Sequence, residues 1–233
     1  MKEMMEAIQA GLPELGLHLE EAQVQTMCQF GQALLEKNQV MNLTAITDPA
    51  QVAKLHFLDS LTLLTLGDLS GKKVIDVGCG GGFPGVPLKI ACPQMKLTLL
   101  DSLGKRMDWL AQTLPTLGLD VECLTARAEE AVATRREQYD FAVSRAVARL
   151  NILCELCLPY VKVGGAFLAM KGAAAKEELE EARKAIAVLG GKVEKHVVFG
   201  VEGTEHSILV IRKVKPTPVQ YPRRFTKIKQ KPL

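Results

Sequence analysis

The chain has 233 residues, 48% of them hydrophobic and 24% charged, the proportions of an ordinary globular protein, which excludes wholesale disorder. No stretch reaches the ~18 apolar residues of a membrane helix, the opening Met1–Glu6 places acids where a signal peptide has an apolar core, and six cysteines are scattered through a chain with ample core; a cytoplasmic protein without disulfides or a membrane partner is expected. The formal net charge of +3 conceals an uneven distribution, because residues 207–233 hold eight basic side chains and no acid while residues 1–206 balance at −5.

The first 65 residues read as helices. Val24, Met27, Phe30, Leu34 and Leu35 recur at helical spacing, which predicts a helix over about 19–37 with one apolar stripe. A polar stretch, Asn38–Thr47, follows. Asp48-Pro49 then supplies an N-cap acceptor and a proline preset for a first turn, opening a helix that carries Val52, Leu55, Leu58, Leu61 and Leu64 and stops near Gly67. From Lys72 the texture changes. Short strand runs are read at Lys73–Val77, Leu97–Leu100, Val121–Thr125, Phe141–Val143, Ala166–Met170, Val193–Phe199 and Ile208–Ile211, with helices at Val86–Cys92, Lys105–Leu117, Arg149–Leu158 and Ala173–Leu189. Pro115 predicts a kink or an early stop. Strands alternating with helices give an α/β fold, a mostly parallel sheet covered on both faces. Only Gly200–His206 separates the last two strand runs, too few residues for a helical crossover, so they are expected to form an antiparallel hairpin at the sheet edge. This divides the chain into an N-terminal helical segment (1–66), a ligand-binding domain (67–215) and a basic tail (216–233).

The most informative stretch is Asp76-Val77-Gly78-Cys79-Gly80-Gly81-Gly82-Phe83-Pro84-Gly85, a glycine-rich loop between a strand and a helix. Glycines let backbone turn sharply and approach a ligand. Gly80, Gly82 and Gly85 satisfy G-x-G-x-x-G, with Asp101 at a suitable distance for a dinucleotide's ribose, so a nicotinamide-dependent oxidoreductase is one reading. Asp76 two residues before Gly78, the terminal hairpin and the lack of a hydride-transfer His/Asp dyad favour a methyl donor instead: S-adenosylmethionine offers ribose hydroxyls to a carboxylate (Asp101) and an adenine to an apolar slot. A non-catalytic RNA-binding module on the same fold is a third reading.

Further motifs extend the pattern: Met41-Asn42-Leu43-Thr44-Ala45-Ile46, His56-Phe57-Leu58-Asp59-Ser60-Leu61, Leu100-Asp101-Ser102-Leu103-Gly104-Lys105-Arg106, Val143-Ser144-Arg145-Ala146, Met170-Lys171-Gly172, Tyr221-Pro222-Arg223 and Lys231-Pro232-Leu233. In these the chain resembles the 16S rRNA guanine-N7 methyltransferase family, also called the glucose-inhibited division protein B family. The resemblance implies a class I S-adenosylmethionine-dependent methyltransferase sheet with an N-terminal helical extension, and methylation of one guanine in the small ribosomal subunit. Carried over by position, Gly78 and Phe83 would contact the cofactor in the loop, Ala128 and Glu129 its adenine end, and Arg145 the donor site. Where the family usually has Gly and Pro between the basic pairs of its tail, this chain has Thr226 and Ile228.

Guanine N7 carries a free lone pair, so its methylation needs no general base. The helix from Pro49 would place His56, Asp59 and Ser60 on one face; a triad within one helical turn has poor geometry and no G-x-S-x-G elbow is present, so these, with Asn42 and Thr44, are expected to roof the donor pocket. Arg145, His56 and Asp59 are the catalytic candidates. Lys105, Arg106 and Lys171, at strand ends on the ligand side of an open sheet, join Asn42, Arg223 and Arg224 as candidate RNA contacts. No metal site is expected, Cys154-Glu155-Leu156-Cys157 lacking a second ligand pair, and the partner is 16S rRNA or its subunit, met by a monomer. Trp109 is expected in the core.

Overall fold

The computed structural model describes residues 1–201 and 203–233. Among them, seven strands form one sheet in the order β3-β2-β1-β4-β5-β7-β6. β1 (Lys73–Val77) pairs in parallel with β2 (Lys96–Asp101) and β4 (Tyr139–Arg145), β2 with β3 (Glu122–Thr125), and β4 with β5 (Val161–Lys171). β7 (Thr204–Lys213) is antiparallel to both β5 and β6 (Gly191–Val201). The expected hairpin is therefore present, with the later strand lying inside the earlier one. Its ladder continues through Phe199↔His206 to Val201↔Thr204, so His206, expected in the connection, stands on a strand; Glu202 of that connection lies outside the described residues.

Helical segments, among them a 3-10 turn at Pro13–Leu15, precede the sheet. α1 (Lys2–Gly11) and α2 (Glu21–Met41) pack together. α2 runs four residues beyond its expected end, because Asn38 Oδ1 accepts from the Leu43 and Thr44 amides and so satisfies backbone just past the helix. Asn42 closes it in the left-handed region at φ 50°. The segment 49–66 starts as expected, with Asp48 accepting from Gln51 N at 2.8 Å. It is not a uniform helix, however: α3 (Pro49–Val52) widens into a π-helical turn over Ala53–Leu58, returns as α4 (Asp59–Leu61), and tightens into a 3-10 turn over Thr62–Leu66. A π turn shifts the phase of every side chain that follows it.

The remaining helices are α5 (Gly85–Ala91), α6 (Gly104–Thr116), α7 (Ala128–Arg135), α8 (Leu150–Cys157), α9 (Ala175–Val188) and α10 (Phe225–Gln230). Pro115 sits in the last turn of α6, which ends one residue later. Pleating sends alternate residues of β1 to opposite faces. Val74 joins a core with Met4, Ile8, Phe30 and Phe57 of the N-terminal helices, while Ile75 and Val77 join Leu153, Cys157 and Ile186 of α8 and α9. Trp109 lies in the first core, stacked on Phe30 at a centroid distance of 6.0 Å. Cys154 and Cys157 are buried free thiols, and burial pushes both above the usual thiol range.

Of the eight cations in residues 207–233, three are spent on ion pairs: Arg212 with Glu194 and Lys213 with Glu137 on β7, and Arg223 with Glu155 in the tail. Ile228, one of the two residues that depart from the family pattern, is fully buried on the second core. An apolar side chain there anchors α10 against α8.

Candidate functional site

At the carboxyl ends of β1, β2 and β4 lies a cleft of about 540 Å³, the place where open α/β sheets bind ligands. Its floor is the glycine loop. Gly78, Gly80 and Gly82 have φ of 76°, 54° and 96°, which only glycine adopts without strain. A Cβ on Gly78 would also stand 2.5 Å from Val147 Cγ2. Asp101 holds the loop closed, its Oδ2 accepting from Gly80 N at 3.0 Å and its Oδ1 from Leu103 N at 2.9 Å. Each oxygen keeps a lone pair for a further donor. Ala128 and Glu129, at the start of α7, line the opposite end, with the Ala128 carbonyl fixed by Tyr160 Oη at 2.6 Å. Gly78, Phe83, Asp101, Ala128, Glu129 and Arg145 all line this one cleft.

Asp76 does not reach it. Its Oδ2 accepts from Gly85 N at 2.8 Å, which caps α5, and its Oδ1 has no partner. Burial raises its pKa to about 7, against the lowering effect of the Gly85 amide and of Arg145. The acid of the glycine motif thus holds the helix rather than the ligand.

Arg145 is the hub of the third wall. Nη1 donates to Asp59 Oδ2 at 2.7 Å and to the Leu55 carbonyl at 3.0 Å, Nη2 reaches His56 Nδ1 at 3.0 Å, and the guanidinium lies 5.2 Å from the Phe83 ring centroid. A guanidinium only donates, so His56 Nδ1 accepts; the proton then sits on Nε2 and is donated to Thr44 Oγ1 at 2.7 Å. Burial and the Arg145 charge lower the His56 pKa to about 4. Neutral, with both ring nitrogens engaged, His56 has no lone pair free for a proton. The π turn makes this possible by letting the Leu55 carbonyl, His56 and Asp59 all converge on Arg145. Ser60, expected on the same face, instead donates to the His56 carbonyl.

Asp59 is 2% exposed, and its other oxygen accepts from His206 Nδ1 at 2.8 Å. It lines a second cleft of about 690 Å³ beyond Arg145, together with Lys171, Glu178 and His206. The two clefts share His56, Arg145, Ala146 and Val147 as a common wall. Ala146 in that wall has φ 55°, a strained conformation of a kind found at functional sites.

The expected RNA contacts separate into two groups. Lys105 and Arg224 are exposed, and Arg106 lines the first cleft while donating to the Asn42 carbonyl at 3.4 Å. Asn42 is exposed but does not line the cleft. Lys171 and Arg223 are not surface cations. Lys171 is buried on the Ala148 carbonyl and Glu178, and Arg223 is locked to Glu155. Sequence reading missed Leu103, Arg127, Val147 and Phe225, all of which line the first cleft. The rule that ligands meet the loops after strand ends points to the first three; Phe225 carries no local signal, because it arrives from the tail. No three His, Cys, Asp or Glu side chains among the described residues are placed to hold a metal, and no helix there is long and apolar enough to cross a membrane.

Comparison with known proteins adds sequence likeness to this geometry. Residues 23–208 match the family model described as rRNA small subunit methyltransferase G. The chain is 49% identical over 229 residues to the ribosomal RNA small subunit methyltransferase G of Alkaliphilus metalliredigens, covering 96% of each protein, and 45% identical over 225 residues to that of Listeria monocytogenes, covering 94% of each. Among solved structures it resembles TrmN from Thermus thermophilus (TM-score 0.54, 18% identity, 67% of this chain and 48% of that one). It also resembles TYW2 of P. horikoshii in complex with MeSAdo (TM-score 0.55, 13% identity, 67% and 62%). Both show the same sheet fold.

Proposed function

Because the chain belongs to the rRNA small subunit methyltransferase G family, we propose that it methylates N7 of one guanine in 16S ribosomal RNA. The activity is S-adenosylmethionine-dependent methylation of small-subunit ribosomal RNA, which displaces the oxidoreductase reading of the glycine loop. The finer reading is supported by one observation: the five residues carried over by resemblance, Gly78, Phe83, Ala128, Glu129 and Arg145, line a single cleft together with Asp101, the acid expected at the ribose.

The residues present fit the methyl donor. Asp101 retains lone pairs for ribose hydroxyls; Leu103, Ala126, Leu156 and Phe225 give an apolar slot for adenine beside Ala128 and Glu129; and the absence of a side chain at Gly78 leaves room where a Cβ would collide. When bound, S-adenosylmethionine supplies a methyl group whose carbon–sulfur bond breaks as the guanine N7 lone pair forms the new carbon–nitrogen bond, so positive charge passes to the guanine and no proton moves. The protein's own part is alignment, which can be worth on the order of 7–11 kcal/mol at best. Arg145 positions the shared wall, and Asp59 neutralises it so that no unpaired cation faces a cationic ligand. His56 is a positioning residue, its nitrogens spent on Arg145 and Thr44, which suits a reaction that removes no proton.

Lys105, Arg106, Arg127 and Arg224 stand on or beside residues that line the cleft, a cationic rim suited to RNA phosphates. The protein is taken to act in the cytoplasm as a monomer. It would do so through the segments 1–66, 67–215 and 216–233, with the helical segment and the tail each closing one side of the cleft by Leu43 and Phe225. The test is incubation with labelled methyl donor and undermodified small subunits or naked 16S RNA, followed by mapping of the label. Label on N7 of a single guanine, lost in Asp101→Ala together with donor binding, is expected. Label on another atom, or none, would overturn the reading.

A further inference from the structure

The second cleft contains an ion pair that the donor site does not use. Lys171 Nζ donates to Glu178 Oε2 at 2.6 Å and to the Ala148 carbonyl at 2.6 Å, and Glu178 Oε2 also accepts from Leu150 N at 2.7 Å. Both side chains are largely buried, 6% and 14% exposed, and both line the cleft. An ammonium has three protons and a carboxylate two oxygens. One N–H of Lys171 and Oε1 of Glu178 thus remain as a donor and an acceptor side by side.

Guanine and uracil each answer that pair with an acceptor followed by a donor, and guanine alone adds a second donor beyond it. The Watson–Crick edge of guanine presents an acceptor (O6) followed by two donors (N1–H and N2–H), whereas adenine and cytosine present a donor first and uracil only one donor between two acceptors. Methylation at N7 fixes the orientation independently. N7 must face the donor cleft, which meets the second cleft at His56, Arg145, Ala146 and Val147, and this leaves the Watson–Crick edge to the rest of the second cleft, whose lining includes Lys171 and Glu178. A cleft of about 690 Å³ holds a purine taken out of its stack.

We propose that the second cleft holds the target guanine and that Glu178 and Lys171 select it, Glu178 Oε1 accepting from N1–H and N2–H and Lys171 donating to O6. This deepens the N7-methyltransferase reading and rests on it. Glu178 has a second consequence. As N7 takes on positive charge its ring N–H groups become stronger donors, so their bond to a carboxylate tightens in the transition state and raises kcat as well as affinity.

The experiment compares target RNA carrying guanine with the same RNA carrying inosine, which lacks the N2 amino group, at the mapped nucleotide. Wild type and Glu178→Gln are each measured for methyl transfer and for RNA binding without methyl donor. Wild type is expected to prefer guanine by about tenfold or more. In Glu178→Gln, which keeps an oxygen for Lys171 and Leu150 but presents an NH₂ to the base, the preference should fall to within about twofold, with kcat on guanine RNA reduced and donor affinity unchanged. A variant that keeps the wild-type preference overturns the proposal. If Glu178→Gln melts out, equal wild-type handling of guanine and inosine overturns it alone. Absence of methylation by wild type on either RNA marks failure of the underlying reading instead, and donor-free binding still scores the base preference.

Discussion

Arg145 donates from Nη1 to Asp59 Oδ2 at 2.7 Å, joining residues 86 positions apart in an ion pair whose carboxylate is almost wholly buried. Removing one partner leaves the other as an uncompensated charge. Asp59→Ala should therefore cost about 3–5 kcal/mol, read as a lowered melting temperature. Arg145→Lys should also lose donor affinity, because an ammonium has one nitrogen to serve Asp59, the Leu55 carbonyl and His56 Nδ1. Calorimetric titration of the donor checks the second effect.

Two buried groups give opposite pH dependences. His56 has its folded pKa lowered from 6.5 to about 4. Between those values the unfolded chain takes up a proton the native state refuses, so this contribution is complete above pH 6.5 and is lost as pH falls to about 4. Asp76 has its folded pKa raised from 3.8 to about 7. There the native state keeps a proton the unfolded chain has released, so stability is highest below pH 3.8 and is lost as pH rises to about 7. Each is worth on the order of 3–4 kcal/mol, and they cancel over pH 4–6.5. Relative to wild type, Asp76→Asn should show stability rising with pH across that window, and His56→Gln should show it falling. Melting temperatures of the three proteins from pH 4 to 8 decide; identical profiles would reject both assignments.

Glu155 is fully buried in α8 and binds Arg223 through three bonds, from N and Nε to Oε1 at 2.8 Å each and from Nη2 to Oε2 at 2.6 Å. Arg223→Ala leaves a buried carboxylate with no countercharge, for about 3–5 kcal/mol of destabilisation. It also frees the segment that brings Phe225 to the cleft. Trypsin cleavage at Lys227 and Lys229 should accelerate in this variant and not in Arg224→Ala, whose side chain is exposed.

Gly78→Ala meets two obstacles: a φ of 76° and a contact of 2.5 Å with Val147 Cγ2. The backbone strain alone is about 1–2 kcal/mol. Val147→Ala relieves only the collision, so the double variant should recover part, not all, of the donor affinity that Gly78→Ala loses. Full recovery would show that the left-handed conformation is not required.

What the sequence disclosed and what it hid follow the range of the interactions. Lys73–Val77, the glycine loop and Asp101 are local patterns, each strand or turn being specified by neighbours, and the loop and Asp101 line one cleft. The cap at Asp48 was legible for the same reason. The π turn at Ala53–Leu58 was not, because periodicity cannot separate an α from a π turn over six residues, and the convergence it allows, of Leu55, His56 and Asp59 on Arg145 of β4, joins parts of the chain far apart. Arg223 read as a surface cation because Glu155, its partner, comes from a helix 68 residues away, and Lys171 because the turn that folds the first turn of α9 back onto the end of β5, bringing Glu178 to it, leaves no periodic signal. Charge at the ends of a chain predicts a field, not which side chains remain free to supply it.

Exposed cations at the cleft rim should set the salt dependence of RNA binding. Lys105 and Arg224 are exposed, while Arg223 and Lys213 are buried in pairs. Counterion release makes the logarithm of RNA affinity fall linearly with the logarithm of salt concentration, by about 0.7 per phosphate contact on a single strand. Lys105→Ala and Arg224→Ala should each lower the steepness of that line by about this amount, roughly equally for target and unrelated RNA, since phosphate contacts carry no base preference. Glu178→Gln should leave the slope alone, because its loss falls on a base edge. A slope unchanged in both rim variants would move the RNA to another face of the molecule.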